Sequence, residues 1–339
     1  MSNIDIGIDL GTTNIIMTMG RKGVVINEPS VVAYDNRNKC VIATGKKAYN
    51  MIGRTPDFID IVKPLKNGVI SNSEMTQSLI NSFMNTITRG QLFRPRIIIC
   101  IPSFITEVES RAVVDIAVNT GSRNIHLLEE PVSAVMGAGI DVSKSLGTLI
   151  LDIGGGTTDI AIISLNGIVD AISIKSAGNS LTTSIIKYMA NRYRLIIGEL
   201  TAESIKKEFV NVFNPSLEKN IRVKGMSVYS NLPDTIQVSE AELFLAIQEN
   251  LIEIVNATKL LLERTNPNLI ADICKNGAIM TGGGSLLKGL DKLLSKQINV
   301  NCKVAENPIE CVAKGTSIAF KNMDKLLDGF EYIKIKNLG

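Results

Sequence analysis

Residues 149–164 read LILDIGGGTTDIAIIS and join two apolar runs through a glycine turn. An apolar run that ends at Asp152, three glycines and a second β-rich run are typical of a strand, a tight turn and a returning strand. Glycines let backbone N–H groups approach an anion, and Thr157 and Thr158 add hydroxyl donors. A carboxylate beside phosphate requires a cation between them. The stretch therefore predicts a site for nucleotide phosphates and Mg²⁺, with a plain glycine turn as the alternative.

The same scheme occurs near the N-terminus, where residues 6–17 read IGIDLGTTNIIM. Asp9, Gly11 and the paired threonines Thr12 and Thr13 stand in the same order as their counterparts in residues 149–164. Two similar hairpins predict two related half-molecules that face each other across a cleft. We expect phosphates to lie between the two turns, an interpretation that the repeat favours over a plain turn.

Composition limits the class of protein. A chain of 339 residues with 45% hydrophobic content is long enough for two domains with real cores. A net charge of +3 without a Lys/Arg-rich block gives nucleic acid little support as a partner. Apolar runs such as residues 97–101 are far shorter than the roughly 18 residues of a membrane-spanning helix. Since Met1 leads directly into the first predicted strand, we expect no signal peptide.

Cysteine and histidine offer little chemistry. The five cysteines are scattered and lack metal-ligand spacing, so we expect buried thiols in a reducing cytoplasm. They are Cys40, Cys100, Cys274, Cys302 and Cys311. The single histidine, His126, lies in a predicted strand and is interpreted as structural. Catalysis by Ser/His or Cys/His pairs is thereby excluded.

Helix-start signals occur at several places. The Thr-x-x-Glu spacing of residues 106–109 predicts a capping box and a helix to about residue 119. Residues 239–242 predict a second box and a helix to about residue 265. Its apolar stripe is assigned to the core and comprises Leu243, Ile247, Leu251, Ile254 and Leu261. Thr201 is expected to cap a further helix.

Five motifs resemble the actin-like ATPase superfamily. They are the two Asp-x-Gly hairpins, a Glu-Glu-Pro strand end at residues 129–131, a Glu-x-x-Lys helix at 203–206 and a Thr-Gly-Gly-Gly turn at 281–284. Within that superfamily the chain is similar to the MreB family of bacterial actins, through residues 27–32, 94–102, 106–109 and 281–290. The matching segments are spread over nearly the entire chain.

The resemblance implies an α/β, actin-like fold of two related halves around a central nucleotide cleft. Four subdomains are expected: IA (1–34, 65–141 and 311–339), IB (35–64), IIA (142–178 and 239–310) and IIB (179–238). ATP and Mg²⁺ would occupy the cleft, and Asp9 and Asp152 would hold the magnesium through water. Glu130 would orient the attacking water with help from Thr157, and Glu129 is interpreted as the structural member of the pair. The expected nucleotide contacts are Gly11, Thr12, Thr13, Asn14, Gly154, Gly155, Gly156, Thr157, Gly178, Glu203, Ser204, Ile205, Lys206, Gly283, Gly284, Ser285 and Leu286.

The function implied is that of a slow cytoskeletal ATPase that polymerises with ATP at the inner face of the cytoplasmic membrane. Its partners would be copies of itself in antiparallel double protofilaments, together with other members of the family. The expected membrane contact is Leu92 and Phe93, flanked by Arg89, Arg94 and Arg96; inward packing of the two apolar side chains is the alternative. Residues 330–336 are either a second anchor or a segment that docks on its own domain.

Two residues depart from the family pattern. Asn179 stands where the family commonly has Asp, and Asp159 stands where Glu is usual. Neither change removes a predicted magnesium or water-positioning residue, so hydrolysis is expected to survive. Two alternatives stay open: a filament protein that binds nucleotide with little turnover, and a chaperone-like or kinase-like ATPase of the same fold.

Overall fold

The computed structural model describes residues 4–89, 94–122, 124–323 and 330–333. In these residues the strands are β1 (Asp5–Leu10), β2 (Asn14–Met19), β3 (Val24–Pro29), β4 (Val32–Asp35), β5 (Cys40–Thr44), β6 (Ile59–Val62), β7 (Leu65–Lys66), β8 (Val69–Ile70), β9 (Arg96–Ile101), β10 (Asn124–Glu129), β11 (Thr148–Ile153), β12 (Thr158–Ser164), β13 (Gly167–Ile174), β14 (Leu195–Ile196), β15 (Asn220–Ser227), β16 (Pro233–Ser239), β17 (Ala278–Thr281), β18 (Cys302–Val304) and β19 (Phe330–Ile333). The helices are α1 (Lys46–Tyr49), α2 (Ser73–Thr88), α3 (Glu107–Asn119), α4 (Glu130–Gly137), α5 (Gly178–Tyr193), α6 (Glu199–Glu208), α7 (Glu240–Glu263), α8 (Pro267–Asn276), α9 (Leu290–Ile298) and α10 (Cys311–Asn322). Short 3₁₀ turns occur at Gly20–Lys22, Gly283–Leu286 and Pro308–Glu310.

Two large sheets share one strand order. The first sheet runs β19-β10-β9-β1-β2-β3, and the second runs β13-β12-β11-β17-β18. In each, an antiparallel hairpin (β1–β2 or β11–β12) has its first strand paired in parallel with a later strand, β9 or β17. The series β3-β2-β1-β9-β10 is therefore repeated as β13-β12-β11-β17-β18. The prediction of two related halves from the repeated hairpins is confirmed.

Helices α4 and α10 pack between the two sheets. Small residues allow the contact: a Cβ on Gly137 would lie 1.8 Å from the carbonyl oxygen of Cys311, and one on Gly315 would lie 1.8 Å from that of Ser133. The Ser133 hydroxyl also donates to the carbonyl of Val312 at 2.6 Å. A core cluster that includes side chains of both sheets, α4 and α10 surrounds this crossing. The halves are thus joined by two helices in backbone-to-backbone contact.

Two smaller three-stranded sheets, β5-β4-β6 and β14-β15-β16, add to the large ones. Each is attached to a different half, and one ion pair joins their neighbourhoods: Lys63, directly after β6, contacts Glu199, the first residue of α6. The burial of the α7 stripe confirms its assignment to the core. Both predicted capping boxes are present, at Thr106–Glu109 and Ser239–Glu242.

The C-terminal strand β19 docks on its own domain. It pairs antiparallel with β10, so that His126 lies opposite Tyr332. The His126 ring stacks on Phe330 with centroids 5.1 Å apart, and its Nε2 lies 2.9 Å from Oδ1 of Asn124. Burial, followed by the charge of Arg96, lowers the pKa of His126. The described part of residues 330–336 therefore follows the docking alternative.

Two predictions are wrong. Thr201 does not cap α6: the helix begins at Glu199, with extended Gly198 as its N-cap residue. An acidic residue in the first turn is favourable there, which explains the earlier start. Cys40 and Cys274 are exposed rather than buried. Cys40 lies on the edge strand β5, and Cys274 lies on α8, where only Ile273 is buried.

Candidate functional site

The turns of the two repeated hairpins meet between the halves. A Cβ on Gly155 would lie 1.8 Å from the Thr13 hydroxyl oxygen, and one on Gly156 would lie 2.4 Å from that of Thr12. The Thr12 hydroxyl accepts the N–H of Gly68 at 2.8 Å. Real Cβ atoms do not come this close, so glycine is required at positions 155 and 156 unless the threonines move. The sequence thus allows two backbone turns from different halves to face each other directly.

A cleft of about 550 Å³ opens at this meeting point. It is lined by Asp9, Gly11, Thr12, Thr13, Asn14, Ile16, Gly68, Glu130, Asp152, Gly154, Gly155, Gly156, Thr157, Gly178, Asn179, Leu181, Glu203, Lys206, Lys207, Gly282, Gly283, Gly284, Leu286, Leu287, Ile309 and Val312. Volume of this order is typical of small-molecule and cofactor sites.

Three carboxyl groups reach the cleft from the ends of different elements. Asp9 and Asp152 are the last residues but one of β1 and β11, and Glu130 begins α4 directly after β10. Burial, followed by the charge of Asp152, raises the pKa of Asp9 to about 8. Burial raises the pKa of Asp152 to about 7, against a hydrogen bond from Thr281. Without a ligand, burial therefore favours the protonated forms of Asp9 and Asp152 near neutral pH.

Glu130 is perturbed in the same direction. It is 8% exposed, and burial raises its pKa well above the usual range, helped by the charges of Asp159, Asp9 and Asp152. Asp159 lies opposite Asp152 in the β11–β12 ladder and is 1% exposed. Neither oxygen of Asp159 has a hydrogen-bond partner in the described structure. Burial raises its pKa to about 6.

This donor set fits a bound cation. Among the described residues that line the cleft, the basic side chains are Lys206 and Lys207, and both pair with Glu203. Asp9, Asp152 and Glu130 therefore have no cationic partner there. No three His, Cys, Asp or Glu side chains in the described ranges come together as a complete metal site. Oxygen ligands that do not complete a cage suit Mg²⁺, which keeps several waters and is usually shared with substrate phosphates.

The opposite end of the cleft carries a hydrogen-bonded network. Lys206 donates to the carbonyl of Gly178 at 2.8 Å and lies 2.7 Å from the Glu203 carboxylate. Thr182 donates to the same carboxylate at 2.6 Å. Burial would raise the pKa of Glu203, but the charge of Lys206 and the hydrogen bonds outweigh it and lower the pKa. Glu203 is thus an ionised acceptor at the wall of the cleft.

The late glycine turn supplies a flat apolar surface. Gly282 has a φ of +75°, and a Cβ there would lie 2.3 Å from the carbonyl oxygen of Ile153. At Gly283 the nearest atom to such a Cβ is 3.9 Å away, so the space above this residue is open to the cleft. Leu286 and Ile309 are 55% and 41% exposed and line the same wall. Exposed apolar side chains inside a cleft are suited to the face of a planar ring.

The structure places most predicted site residues in the cleft lining, with three exceptions among the described ones. Ser204 donates to Glu208 on the exposed side of α6. Ile205 packs in the core of the second half. The hydroxyl of Ser285 donates to the carbonyl of Gly282 at 2.7 Å, inside the turn. Leu92 and Phe93 lie outside the described residues, so their predicted membrane contact is not located.

Some lining residues were not predicted. Gly68 follows Asn67, and the pair is a recognisable turn signal in the sequence. Lys207 stands four residues after Glu203, a spacing that predicts an ion pair on a helix and is observed at 3.1 Å. Ile309 and Val312 gave no local signal, because they reach the cleft only through the crossing of α10 with α4.

None of the described helices combines the length and the apolar character that crossing a bilayer requires.

Comparison with known proteins agrees with the topology. A model of the MreB/Mbl protein family matches residues 3–328. The chain is 46% identical over 323 residues to the cell shape-determining protein Mbl of Bacillus subtilis, covering 95% of this chain and 97% of Mbl. It is 38% identical over 330 residues to the cell shape-determining protein MreB of Escherichia coli K12, covering 96% of this chain and 95% of MreB.

A solved structure has the same fold as this chain. The crystal structure of MreB5 of Spiroplasma citri bound to ADP superposes with a TM-score of 0.91 at 36% identity. The match covers 96% of this chain and 98% of MreB5. The predicted actin-like fold is thereby confirmed, and the chain belongs to the MreB/Mbl family.

Proposed function

We propose that this chain is a slow ATP hydrolase of the cytoskeletal kind, which assembles with copies of itself into filaments that control cell shape. The observation that carries the proposal is the convergence of two glycine turns, at Thr13 and Gly155, above the uncompensated carboxyl groups of Asp9, Asp152 and Glu130. The relatives Mbl and MreB, named as cell shape-determining proteins, support the cellular role, and the ADP bound to MreB5 supports the ligand class.

Phosphate groups would lie between residues 11–14 and 154–157. Both turns bring backbone to the cleft without side chains in the way, and the hydroxyls of Thr12, Thr13 and Thr157 supply further donors. The carbonyls of Gly154 and Gly155 accept N–H groups from the start of α5, at 3.0 Å and 2.8 Å. These bonds fix the second turn against a helix N-terminus, where anions are favoured.

Mg²⁺ held through water by Asp9 and Asp152 would neutralise charge on the phosphates. The same positive charge would favour the ionised form of the three acids. Glu130 would then accept a hydrogen bond from the attacking water and hold it in line with the terminal phosphate, with the Thr157 hydroxyl opposite. A positioned carboxylate of this kind contributes about 10²- to 10⁴-fold to the rate.

The nucleoside would occupy the other end. Glu203 is an ionised acceptor for ribose hydroxyls, and Lys206 is held against it on α6. Leu286 and Ile309 offer apolar surface to the base above the open Gly283. Because the bound nucleotide would touch both halves, its affinity would favour the closed arrangement, and loss of phosphate would weaken that preference.

Assembly and membrane attachment complete the proposal. The partners are copies of the same chain, as antiparallel double protofilaments, and other MreB-family proteins. Filaments would lie at the inner face of the cell membrane, with Leu92 and Phe93 as the contact. One subunit binds weakly through two side chains, whereas a filament repeats the contact and gains by avidity.

One observation favours a second candidate, a filament that binds nucleotide with little turnover. Asn179 lines the cleft in place of an acid, and its Oδ1 accepts a hydrogen bond from the Thr13 hydroxyl at 3.4 Å. A neutral amide there removes one negative charge near the nucleotide. Phosphate release separates the two candidates.

The test combines phosphate release with sedimentation in ATP, ADP or no nucleotide. Wild type is expected to release phosphate and to pellet as filaments in a nucleotide-dependent way. Glu130→Gln keeps the size of the side chain and is expected to lose about 10²- to 10⁴-fold in phosphate release while still binding ATP. Glu129→Gln is the matched control and is expected to keep the wild-type rate. Unaltered release by Glu130→Gln would remove Glu130 from the mechanism, and absence of release by wild type would favour the second candidate.

A further inference from the structure

Thr281 is a buried polar residue that no step above uses. It ends β17, which pairs in parallel with β11 so that Thr281 lies beside Asp152. Its side chain is 0% exposed, and its hydroxyl donates to Oδ1 of Asp152 at 2.8 Å. Thr281 does not line the cleft, so any effect on a ligand would pass through Asp152.

The bond leaves one oxygen of Asp152 for other partners. Oδ1 is engaged by Thr281, and no hydrogen bond among the described residues reaches Oδ2. Asp152 itself is 5% exposed and lines the cleft. A carboxylate with one oxygen held by a buried donor has a fixed orientation. The second oxygen is therefore the one available to a hydrated cation.

Gly282, the residue after Thr281, also packs closely against Asp152. A Cβ on Gly282 would lie 2.8 Å from Oδ1 of Asp152 and 2.3 Å from the carbonyl oxygen of Ile153. The N–H of Gly282 donates to the carbonyl of Pro308 at 2.9 Å, which fixes the turn from its other side. The carboxylate and the late glycine turn are thus one closely packed unit.

We propose that Thr281 is a positioning residue that orients Asp152 for Mg²⁺ and couples the metal end of the cleft to the late glycine turn. The inference rests on the proposed function, since it assumes that Asp152 holds magnesium beside ATP. Removal of a hydrogen-bond donor behind a metal ligand typically costs 10- to 100-fold in metal affinity or activity. Thr281→Val retains the shape of the side chain and deletes only the donor.

The experiment measures the affinity for a fluorescent ATP analogue in excess MgCl₂ and in EDTA, and takes the ratio for each protein. Both values come from one preparation, so the folded fraction cancels in the ratio. Wild type is expected to bind more tightly with Mg²⁺, and Thr281→Val to lose about 10- to 100-fold of that enhancement or all of it. Thr281→Ser retains the hydroxyl and is expected to restore the ratio. Thr281→Ala provides a second deletion of the donor.

Thr258→Val is the matched control. Thr258 is also 0% exposed, and its hydroxyl donates to the carbonyl of Ile254 inside α7, away from the cleft. It is expected to keep the wild-type ratio. A wild-type ratio in Thr281→Val or Thr281→Ala would overturn the role of Thr281 alone. A wild type without Mg²⁺ enhancement, or an Asp152→Asn protein that keeps it, would instead overturn the proposed magnesium site and the inference with it.

Discussion

Gly155→Ala tests the central geometric feature, the contact between the two turns. The new Cβ would lie 1.8 Å from Oγ1 and 2.8 Å from Cβ of Thr13, whereas ordinary contact begins near 3.4 Å. Rotation of the Thr13 side chain moves Oγ1 but leaves its Cβ in place, so the turns themselves must separate. The remaining overlap with Cβ of Thr13 corresponds to a displacement of about 0.6 Å.

A displacement of that size acts on positioning more than on folding. Misplacement of a reacting group by about 1 Å can reduce a rate by roughly 100-fold. We therefore expect Gly155→Ala to lower kcat/KM for ATP by about 10- to 100-fold. The melting temperature is expected to change little, because residue 155 lies in a turn at the cleft and outside the core clusters.

The assay is steady-state phosphate release together with a thermal melt. Gly198→Ala is the control, since a Cβ there meets no atom within 4 Å and its backbone is extended. It is expected to keep the wild-type rate of phosphate release. If Gly155→Ala hydrolysed ATP within three-fold of wild type, the two turns would not hold the phosphates between them, and the placement of the reaction would be refuted.

Three further predictions concern the Lys63–Glu199 ion pair, the acids and the C-terminal strand. Lys63→Ala removes the ion pair with Glu199, and because both side chains are about 40% exposed, the interaction energy lost is under ~1 kcal/mol. Release of a fluorescent ADP, measured by stopped flow, should accelerate by up to about five-fold. An unchanged rate would exclude a role of the pair in closure of the cleft. The pKa values of Asp9 (about 8) and Asp152 (about 7) are raised, so protonation of these acids favours the folded state, and this contribution to stability is lost as pH rises through the two values. Without nucleotide, the melting temperature should therefore fall between pH 6 and 8.5. Asp9→Asn should make this fall smaller, and excess MgATP should suppress it. The pKa of His126 is lowered, so the folded state disfavours its protonation and stability falls as pH drops below about 6.5. Urea unfolding should show that His126→Asn loses less free energy of unfolding than wild type does between pH 7.5 and pH 5.5. Equal losses would contradict the reasoning.

The sequence was most informative where chemistry and local structure coincide. The Asp-x-Gly hairpins around Asp9 and Asp152 could be predicted because alternating apolar residues, an acid and glycines each restrict the same few positions. The capping boxes at Thr106 and Ser239 were equally local. From the repeat alone, two halves and a cleft between them followed.

Other features depend on distant contacts and could not be predicted. Lys63 and Glu199 are 136 positions apart, and nothing near either residue specifies the other. Asp152 meets Thr281 only because β11 pairs with β17. Thr201 was misassigned because a local propensity for capping was outweighed by the position at which α6 actually begins. The exposure of Cys40 required knowledge that β5 is an edge strand.

The two related halves contribute different residues to the cleft. Each half places an acid near the end of its first hairpin strand, Asp9 in β1 and Asp152 in β11. In the first half, the parallel strands β9 and β10 are followed by α4, whose Glu130 adds a carboxylate to the cleft. The counterpart α10 presents the apolar Val312 to the cleft instead. Since α4 and α10 are in backbone contact at Gly137 and Gly315, the halves cannot separate there without loss of packing. The turns at Thr13 and Gly155 form a second contact between the halves, on the wall of the cleft. Under the proposed function, a nucleotide that contacts both turns would therefore act on the relative orientation of the halves, and loss of the terminal phosphate would weaken that action.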